Sequence, residues 1–378
     1  MNKKKILLFI DWYLPGYKAG GPIRSCANLI EHLSNEFDFF VVTRDTDYME
    51  ASPYSSVKKN EWNKLPDGST VFYISKGNLN ASTLKKIIKD SNADIFYTNG
   101  IFSFYFSIVP LWVIDRKKNK MIVAVRGMLA PSALSIKPIK KKIFLFLSKL
   151  FGLFSNVIFQ ASNEEEKKQI DFYFSNSKIK VAPNLSRIIL FDYPERIEKS
   201  AGAVRLLNVA RIAPEKNLLF ALEVLRKVKG RVVFDFFGPM YDNDYWQQCM
   251  RVISNLPPNI SATYKGIAEA EHLFTLMKDY HFLFLPSRGE NFGHIILEAM
   301  SAGMPVIISD KTPWRNLQEN KVGWDIPLDN EKEYSDVIEK CVGMSTAEFE
   351  IYSNAARAFA LEYIMDKEKI QLNRNLFS

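Results

Sequence analysis

Short apolar runs alternate with amphipathic stretches along the whole chain. Runs at 5–10, 37–42, 70–74, 95–98 and 121–125 predict strands, and helical periodicity at 23–33, 81–89 and 104–114 predicts helices between them. Residues 157–161 and 180–182 read as two further strands. This alternation predicts a doubly wound α/β domain. The stretch 189–202 is charged, mixed and weakly periodic, and reads as a linker. A second alternating series follows, with strands at 205–209, 231–236, 261–264, 282–285 and 306–308. Its helices fall at 218–228, 244–254, 270–277, 293–302 and 331–341. An amphipathic helix from 347 to about 372 ends the pattern. The division is therefore an N-terminal domain at 1–188, a linker at 189–202, a second domain at 203–346 and a C-terminal helical segment at 347–378.

Bulk properties agree with two cores. A chain of 378 residues is too long for one typical domain, and 47% hydrophobic with 24% charged residues is ordinary for a globular protein. The formal net charge of +8 suits an anionic substrate or an anionic membrane surface. Nucleic acid is the weakest partner, because no RNP, zinc or helix-turn-helix pattern is present. Three distant cysteines, Cys26, Cys249 and Cys341, imply a reducing compartment without a disulfide framework. The apolar run after the first lysines is interrupted by Asp11, so it reads as a strand rather than a secretory signal. Residues 95–114 carry no charge, yet Thr98-Asn99-Gly100 and Pro110 break the run, which favours strand, loop and helix over a membrane span. A cytoplasmic protein, with the inner face of the plasma membrane as its one candidate surface, is the expectation.

The densest chemistry lies in 282–310. Phe282-Leu283-Phe284-Leu285 reads as a buried strand ended by Pro286, and Ser287-Arg288-Gly289-Glu290-Asn291 as a polar loop. A helix pattern follows to Gly303, and Pro305-Val306-Ile307-Ile308 starts another strand. This is a βαβ unit, whose ligands sit at the carboxyl ends of the strands. Glu290 precedes the helix and Glu298 lies inside it, with seven residues between. With a helix start near Phe292, Glu298 lies about 9 Å along the axis. The helix N-terminus between them favours an anion. A ligand with hydroxyls at both ends and phosphate in the middle fits this span, as a nucleotide-sugar does.

The segment resembles the donor-site signature of retaining glycosyltransferases of family 4. That pattern has two glutamates separated by seven residues, Phe-Gly after the first, and Ala-x-x-x-Gly-x-Pro-Val after the second, all present here. The resemblance implies the GT-B fold, two Rossmann-like domains facing a central cleft, with the C-terminal helix returning to the first domain. It also implies retaining transfer of a sugar from a nucleoside diphosphate sugar to a hydroxyl acceptor, as in bacterial surface polysaccharide synthesis. Glu290 then holds sugar hydroxyls and Glu298 ribose hydroxyls, with backbone N–H groups at Asn291, Phe292 and Gly293 assisting. No metal and no catalytic nucleophile are expected. The alternatives are a nucleotide-sugar epimerase or a phosphorylase on the same fold, or a non-catalytic subunit of a membrane-bound assembly complex.

Other loops fit this reading. Arg211 and Lys216, between a strand and a helix, form a fork and a point charge suited to a diphosphate. The family has a similar Arg and Lys followed by Gly, where this chain has Asn217. Gly20-Gly21 follows the first strand and permits close backbone approach; the resemblance places it opposite the donor diphosphate. The loop around Gly266 and Ile267 is expected under the base. Arg126 stands where many relatives have a histidine, and is a candidate for an anionic acceptor or the donor phosphate. Asp45-Thr46-Asp47 and Asp242-Asn243-Asp244 look like metal–nucleotide motifs but are read as chance acidic loops. Asn163-Glu164-Glu165-Glu166 reads as a helix start. Lys140, Lys141 and Lys142 adjoin an aromatic apolar run containing Phe144, a candidate membrane surface set against the plainer reading of a core-packed helix.

Overall fold

The computed structural model describes residues 3–188, 196–269 and 272–378. It divides into two compact units, one of Met1–Ile189 with Asp366–Ser378 and the other of Leu190–Met365.

Unit 1 is built on an eight-stranded sheet in the order β3-β4-β2-β1-β5-β6-β7-β8. The strands are β1 Lys4–Phe9, β2 Phe37–Arg44, β3 Trp62–Lys64, β4 Thr70–Ile74, β5 Ile95–Asn99, β6 Lys120–Ala124, β7 Ile158–Ala161 and β8 Lys178–Val181. All neighbours are parallel except β3 and β4. The unbroken apolar runs have a direct cause. Leu7 and Phe9 of β1 face one core, and Ile6 and Leu8 face the other. A sheet covered on both faces needs apolar side chains at every position. The chargeless stretch 95–114 resolves into β5, a π-helical turn at Phe104–Ile108 and a short helix at Val109–Val113. No helix among the described residues is long and apolar enough to cross a membrane.

The expectation of one helix over 347–372 is corrected. Thr346–Met365 and Lys367–Phe377 are separate helices, broken where Asp366 turns extended and its side chain accepts from Glu368 N at 2.9 Å. The first packs in unit 2 against the helix His294–Ser301, and Ser353 Oγ donates to Gly303 O at 2.6 Å. The second belongs to unit 1. Its Phe377 ring lies 5.5 Å from Phe37, 5.8 Å from Phe39 and 6.1 Å from Tyr97, and Asn373 Nδ2 donates to Pro183 O at 2.8 Å.

Unit 2 holds a six-stranded, all-parallel sheet in the order β11-β10-β9-β12-β13-β14. Its strands are β9 Ala203–Val209, β10 Arg231–Phe237, β11 Ile260–Tyr264, β12 Phe282–Leu285, β13 Val306–Ser309 and β14 Gly323–Ile326. Of the expected linker, 189–195 lies outside the described residues, but 196–202 is no solvent spacer. Arg196 donates to Ala302 O at 2.7 Å, and fully buried Lys199 donates to Ser200 O, Val342 O and Met344 O at 2.8, 3.2 and 2.9 Å. The ammonium thus satisfies carbonyls at and beyond the end of the helix Glu331–Gly343. The helix expected at 270–277 is observed at Leu273–Met277; residues 270 and 271 lie outside the described residues.

One residue in this framework makes stability depend on pH. His281 is buried beside β12, and Arg205 N donates to its Nδ1 at 2.9 Å. Burial pushes the imidazole down to about 4, with the charges of Lys199, Arg196 and Arg205 adding to the effect. The unfolded chain therefore binds the proton more readily than the folded one between about pH 4 and 6.5. Unit 2 is expected to lose up to about 3 kcal/mol as pH falls through that window, with no change from this source above it. Urea unfolding at pH 5 and pH 7 checks this. His281→Asn, which keeps an acceptor for Arg205 N, is expected to flatten the slope; an unchanged slope would assign it elsewhere.

Candidate functional site

The sheet of unit 2 presents its loops at the carboxyl ends of β9, β10, β12 and β13. After β9 the chain runs through Arg211 into a 3-10 turn, Pro214–Lys216, and then Asn217 in the left-handed region with φ 61°. This position favours glycine, and asparagine is the next best residue there. Asn217 also uses its side chain. Nδ2 donates to Pro286 O at 3.1 Å, and Oδ1 accepts from Arg288 Nε at 3.2 Å. Arg288 N donates to Glu215 O at 2.9 Å. The loop after β9 is thereby stitched to the loop after β12.

Across this seam Lys216 Nζ donates to Glu290 Oε1 at 2.6 Å, with both side chains mostly buried. Arg211 is turned to its own loop, donating to Glu215 Oε1 at 3.0 Å. Arg211 and Lys216 thus stand on one loop, each holding a carboxylate. An incoming polyanion would compete with Glu215 and Glu290 for these two cations.

The helix that follows Glu290 runs His294–Ser301. It starts later than the expected Phe292, so Glu298 lies about 6 Å, not 9 Å, along the axis from the first helical residue. Gly293 caps the helix with φ 75° and ψ 62°. The left-handed backbone favours glycine, and a Cβ there would also press on Ile296 Cδ1 at 2.7 Å. Phe292 turns its ring into the core, 5.5 Å from Trp314 and 5.8 Å from Tyr363, and Trp314 Nε1 donates to Phe292 O at 2.6 Å. What it presents to the loop is therefore its backbone. Among the described residues no protein group accepts from the N–H of Phe292 or Gly293. Asn291, in the loop after β12, and Glu298, inside the helix that follows, are both half-buried. Gly266, with φ 83°, has open space where a Cβ would stand, and Ile267 beside it is exposed.

Sequence reasoning missed the loop behind Glu290. Glu290 N donates to Lys311 O at 3.0 Å, and Lys311 Nζ pairs with Asp310 Oδ2 at 2.9 Å. It also missed Ser287, whose hydroxyl is buried without a hydrogen-bond partner at the end of β12. The acid and base after an apolar strand, Asp310-Lys311, were the available signal.

In unit 1, Gly20 has φ 75° and caps the helix Gly21–Leu33. The preceding turn is held by Asp47, whose Oδ2 accepts from Tyr17 N at 3.0 Å and Lys18 N at 3.2 Å. That is the work of the Asp45-Thr46-Asp47 string; Asp242 of the other caps its helix by accepting from Tyr245 N at 2.9 Å. Arg126 takes the left-handed region with φ 55°, and spends its guanidinium on Asn99 Oδ1 at 2.8 Å, Tyr97 Oη at 2.7 Å and Asn184 Oδ1. It organises three chain segments at the carboxyl edge of the sheet. Gly127 N and Ser162 N both donate to Glu166, whose own N–H is capped by Asn163 Oδ1 at 2.8 Å.

A further group at that edge was missed. Asp11, just past β1, accepts on Oδ1 from Ser103 Oγ at 2.9 Å and from Arg44 at 3.3 Å. Burial raises its carboxyl above the usual range, and the hydroxyl and guanidinium only partly offset this. Among the described residues no group hydrogen-bonds its Oδ2.

The membrane-surface residues divide. Phe144 points inward, its ring 5.3 Å from Phe102 and 6.5 Å from Phe154, which corrects its expected place on a membrane face. Lys141 donates to Ala133 O at 2.6 Å and lies over the Phe102 ring. Lys140 and Lys142 are exposed.

Comparison with solved structures decides the fold. The Anabaena protein HepE in complex with UDP and glucose superposes with a TM-score of 0.71 at 14% identity, over 99% of this chain and 98% of that one. Sucrose-phosphate synthase from Thermosynechococcus elongatus gives 0.73 at 16% identity, over 99% of each. The chain has the GT-B glycosyltransferase fold. Within it, residues 192–358 match the family model of the glycosyl transferases group 1, and this GT-B segment contains Arg211, Lys216, Glu290 and Glu298. A Klebsiella pneumoniae relative, described as an uncharacterized 41.2 kDa protein in the cps region, is 23% identical over 60% of this chain and 62% of its own length. The GtfA subunit of a UDP-N-acetylglucosamine–peptide N-acetylglucosaminyltransferase from Streptococcus agalactiae is 29% identical over 33% of this chain and 24% of its own. The chain thus spans less than two thirds of the length of these curated relatives.

Proposed function

We propose that this chain transfers a sugar from a nucleoside diphosphate sugar to a hydroxyl acceptor, with retention at the anomeric carbon, as a member of glycosyltransferase family 4. The observation that carries the reading is the Lys216–Glu290 pair at 2.6 Å, set between two strand-end loops inside the segment matching the glycosyl transferases group 1. Lys216 and Arg211 exchange their carboxylate partners for the diphosphate and stabilise the charge that develops on it as the glycosidic bond breaks. The N–H groups of Asn291, Phe292 and Gly293 add to that field. Glu290, released from Lys216, holds sugar hydroxyls. Glu298 holds the ribose, and Gly266 with Ile267 receives the base. With two cations in place, the reaction needs no metal in this reading.

Unit 1 takes the acceptor at the carboxyl edge of its sheet. Asp11 has one oxygen fixed by Ser103 and Arg44 and the other open, the arrangement of a group that positions an acceptor hydroxyl. Arg126 acts through Asn99, Tyr97 and Asn184 rather than on the ligand. Gly20 and Gly21 let the ligand approach the backbone. A saccharide or lipid-linked saccharide is the acceptor class, and surface polysaccharide assembly is the setting. The cps-region relative supports that setting.

A thermal-shift panel of nucleoside diphosphate sugars tests the donor assignment. A ligand at 100 times its Kd stabilises by about 2.7 kcal/mol, a shift of several degrees. The best stabiliser names the donor, and acceptor-dependent release of the nucleoside diphosphate then establishes transfer. A flat panel would remove the donor site.

A further inference from the structure

Unit 1 carries a cleft of about 640 Å³ at the amino ends of β7 and β8, which the proposed reaction does not use. Its walls are the turns that follow the helices Pro138–Leu150 and Glu164–Tyr173. Ile158 opens β7 at the cleft, and Ala161 ends the strand about 10 Å further along, toward the edge that carries Asp11 and Arg126. The hydroxyls of Ser155, Ser175 and Ser177 and the carboxamides of Asn156 and Asn176 line the cleft. Among the described residues, none of these five side chains hydrogen-bonds to another protein group. Beneath them lie Phe154 and Phe174, both buried, with rings 4.9 Å apart. Lys149 and Lys178 also line it, both exposed and neither paired with a carboxylate among the described residues. No acidic residue does so. Beyond Lys178 the surface stays basic. Lys4, Lys120 and Lys180 reach Phe377 O, Ser378 O and Asn375 O at the end of the last helix. Burial and the charges of Lys180, Lys4 and Lys178 push the Lys120 ammonium down to about 8, so the lysines of this corner repel one another.

We propose that this cleft holds an acidic saccharide chain at a distance from the reacting groups. Hydroxyls and carboxamides can each donate and accept, as recognition of sugar hydroxyls requires. The apolar floor suits the C–H face of a sugar ring, and two unpaired ammoniums suit its carboxylates or sulfates. An acidic peptide would satisfy the lysines but would bring no hydroxyls to the five polar side chains. A saccharide held at this second point favours a long chain over a short one, because its other contacts become intramolecular. The inference goes beyond the proposed reaction, and its failure would leave that reaction intact.

Titration calorimetry of the full chain with oligogalacturonate, hyaluronan oligosaccharides, dextran and poly-L-glutamate tests it. At least one of the two acidic saccharides is expected to bind about tenfold or more tighter than both neutral dextran and poly-L-glutamate, and to weaken as salt rises. Lys149→Glu with Lys178→Glu should lower that affinity about tenfold or more without lowering the melting temperature, since both side chains are exposed and unpaired. Asn156→Gly with Asn176→Gly leaves the charge unchanged. These residues have φ of 58° and 65°, which glycine adopts freely, so the fold should persist while affinity falls about tenfold through the lost carboxamides. Both double variants should keep the thermal shift given by the nucleoside diphosphate sugar. The inference is overturned if neither acidic saccharide binds the wild-type chain, if poly-L-glutamate binds as tightly as they do, or if either double variant holds the saccharide as well as wild type.

Discussion

Replacing Lys216 by alanine is expected to lower turnover by about 10²- to 10³-fold, the usual cost of deleting one fixed group that stabilises transition-state charge. The structure adds a less ordinary expectation, that Lys216→Ala and Glu290→Ala move affinity for the bare nucleoside diphosphate in opposite directions. Lys216 Nζ is held at 2.6 Å by Glu290 Oε1, so a diphosphate must displace a carboxylate to reach it. Removing Glu290 releases the ammonium from that competitor and should tighten diphosphate binding. The same change removes the group assigned to the sugar hydroxyls, so turnover of the intact donor should fall about tenfold or more. Removing Lys216 instead leaves Glu290 mostly buried without its cation, at the place proposed for the diphosphate. Binding should weaken, and some stability should be lost with it, because an unpaired carboxylate in that position is costly. Glu290→Gln keeps an acceptor for Lys216 and should be the mildest of the three. Calorimetry with the nucleoside diphosphate chosen by the thermal-shift panel, run beside turnover, separates the contributions. A double-mutant cycle then measures the coupling of the pair directly. If both alanine variants turned over within a few-fold of wild type with equal diphosphate affinities, the site would have to lie elsewhere.

The strands were legible where burial on both faces demanded unbroken apolar runs, as in Phe282–Leu285, where every residue is buried. Two strands were not. Trp62–Lys64 is a three-residue, partly exposed antiparallel edge, and Gly323–Ile326 carries Asp325, whose carboxylate accepts from Leu317 N at 2.9 Å. The first is too short for a strand pattern, and in the second a glycine and a charge interrupt the apolar run although three of its four residues are buried. Each half of the site could be read as a strand-to-helix junction, but the pairing of Lys216 with Glu290 joins residues 74 apart and follows only from β9 and β12 being neighbours in the sheet. Lys199 shows the same limit. Two of the carbonyls it satisfies are 143 and 145 residues away, so in sequence it looks like one more charge in a linker. The helix at 138–150 defeats the pattern for another reason. It is apolar on two faces, and periodicity cannot tell which of them meets the core. The sequence therefore puts Phe144 outward, when Phe146 and Leu150 are the exposed residues.

Gly238→Ala is expected to be among the most damaging single-methyl changes in unit 2, costing about 3–5 kcal/mol from overpacking and backbone strain together. Gly238 follows β10 with φ 149°, and a Cβ built on it would stand 1.9 Å from Ala210 O and 2.6 Å from Ala210 C. Those are backbone atoms, so no side-chain rotation relieves the contact. The neighbouring rungs hold the two segments together. Ala210 N donates to Phe237 O at 2.9 Å, Ile212 N to Pro239 O at 3.0 Å, and Gly238 N to Gly266 O at 2.8 Å. To admit a methyl group, Ala210 must retreat by more than an ångström, and it carries Arg211 with it. Loss of stability and loss of diphosphate affinity should therefore appear together, with a melting temperature lowered by about 10 °C. Gly266→Ala is the control. That glycine also has a positive φ, 83°, but nothing lies within 4 Å of its missing Cβ, so only backbone strain of about 1 kcal/mol applies. Equal losses of melting temperature in the two variants would mean that strain alone sets the cost. A much larger loss at Gly238 would show that the loop bearing Arg211 is built against a bare backbone, and that its position at the site depends on the absence of one methyl group.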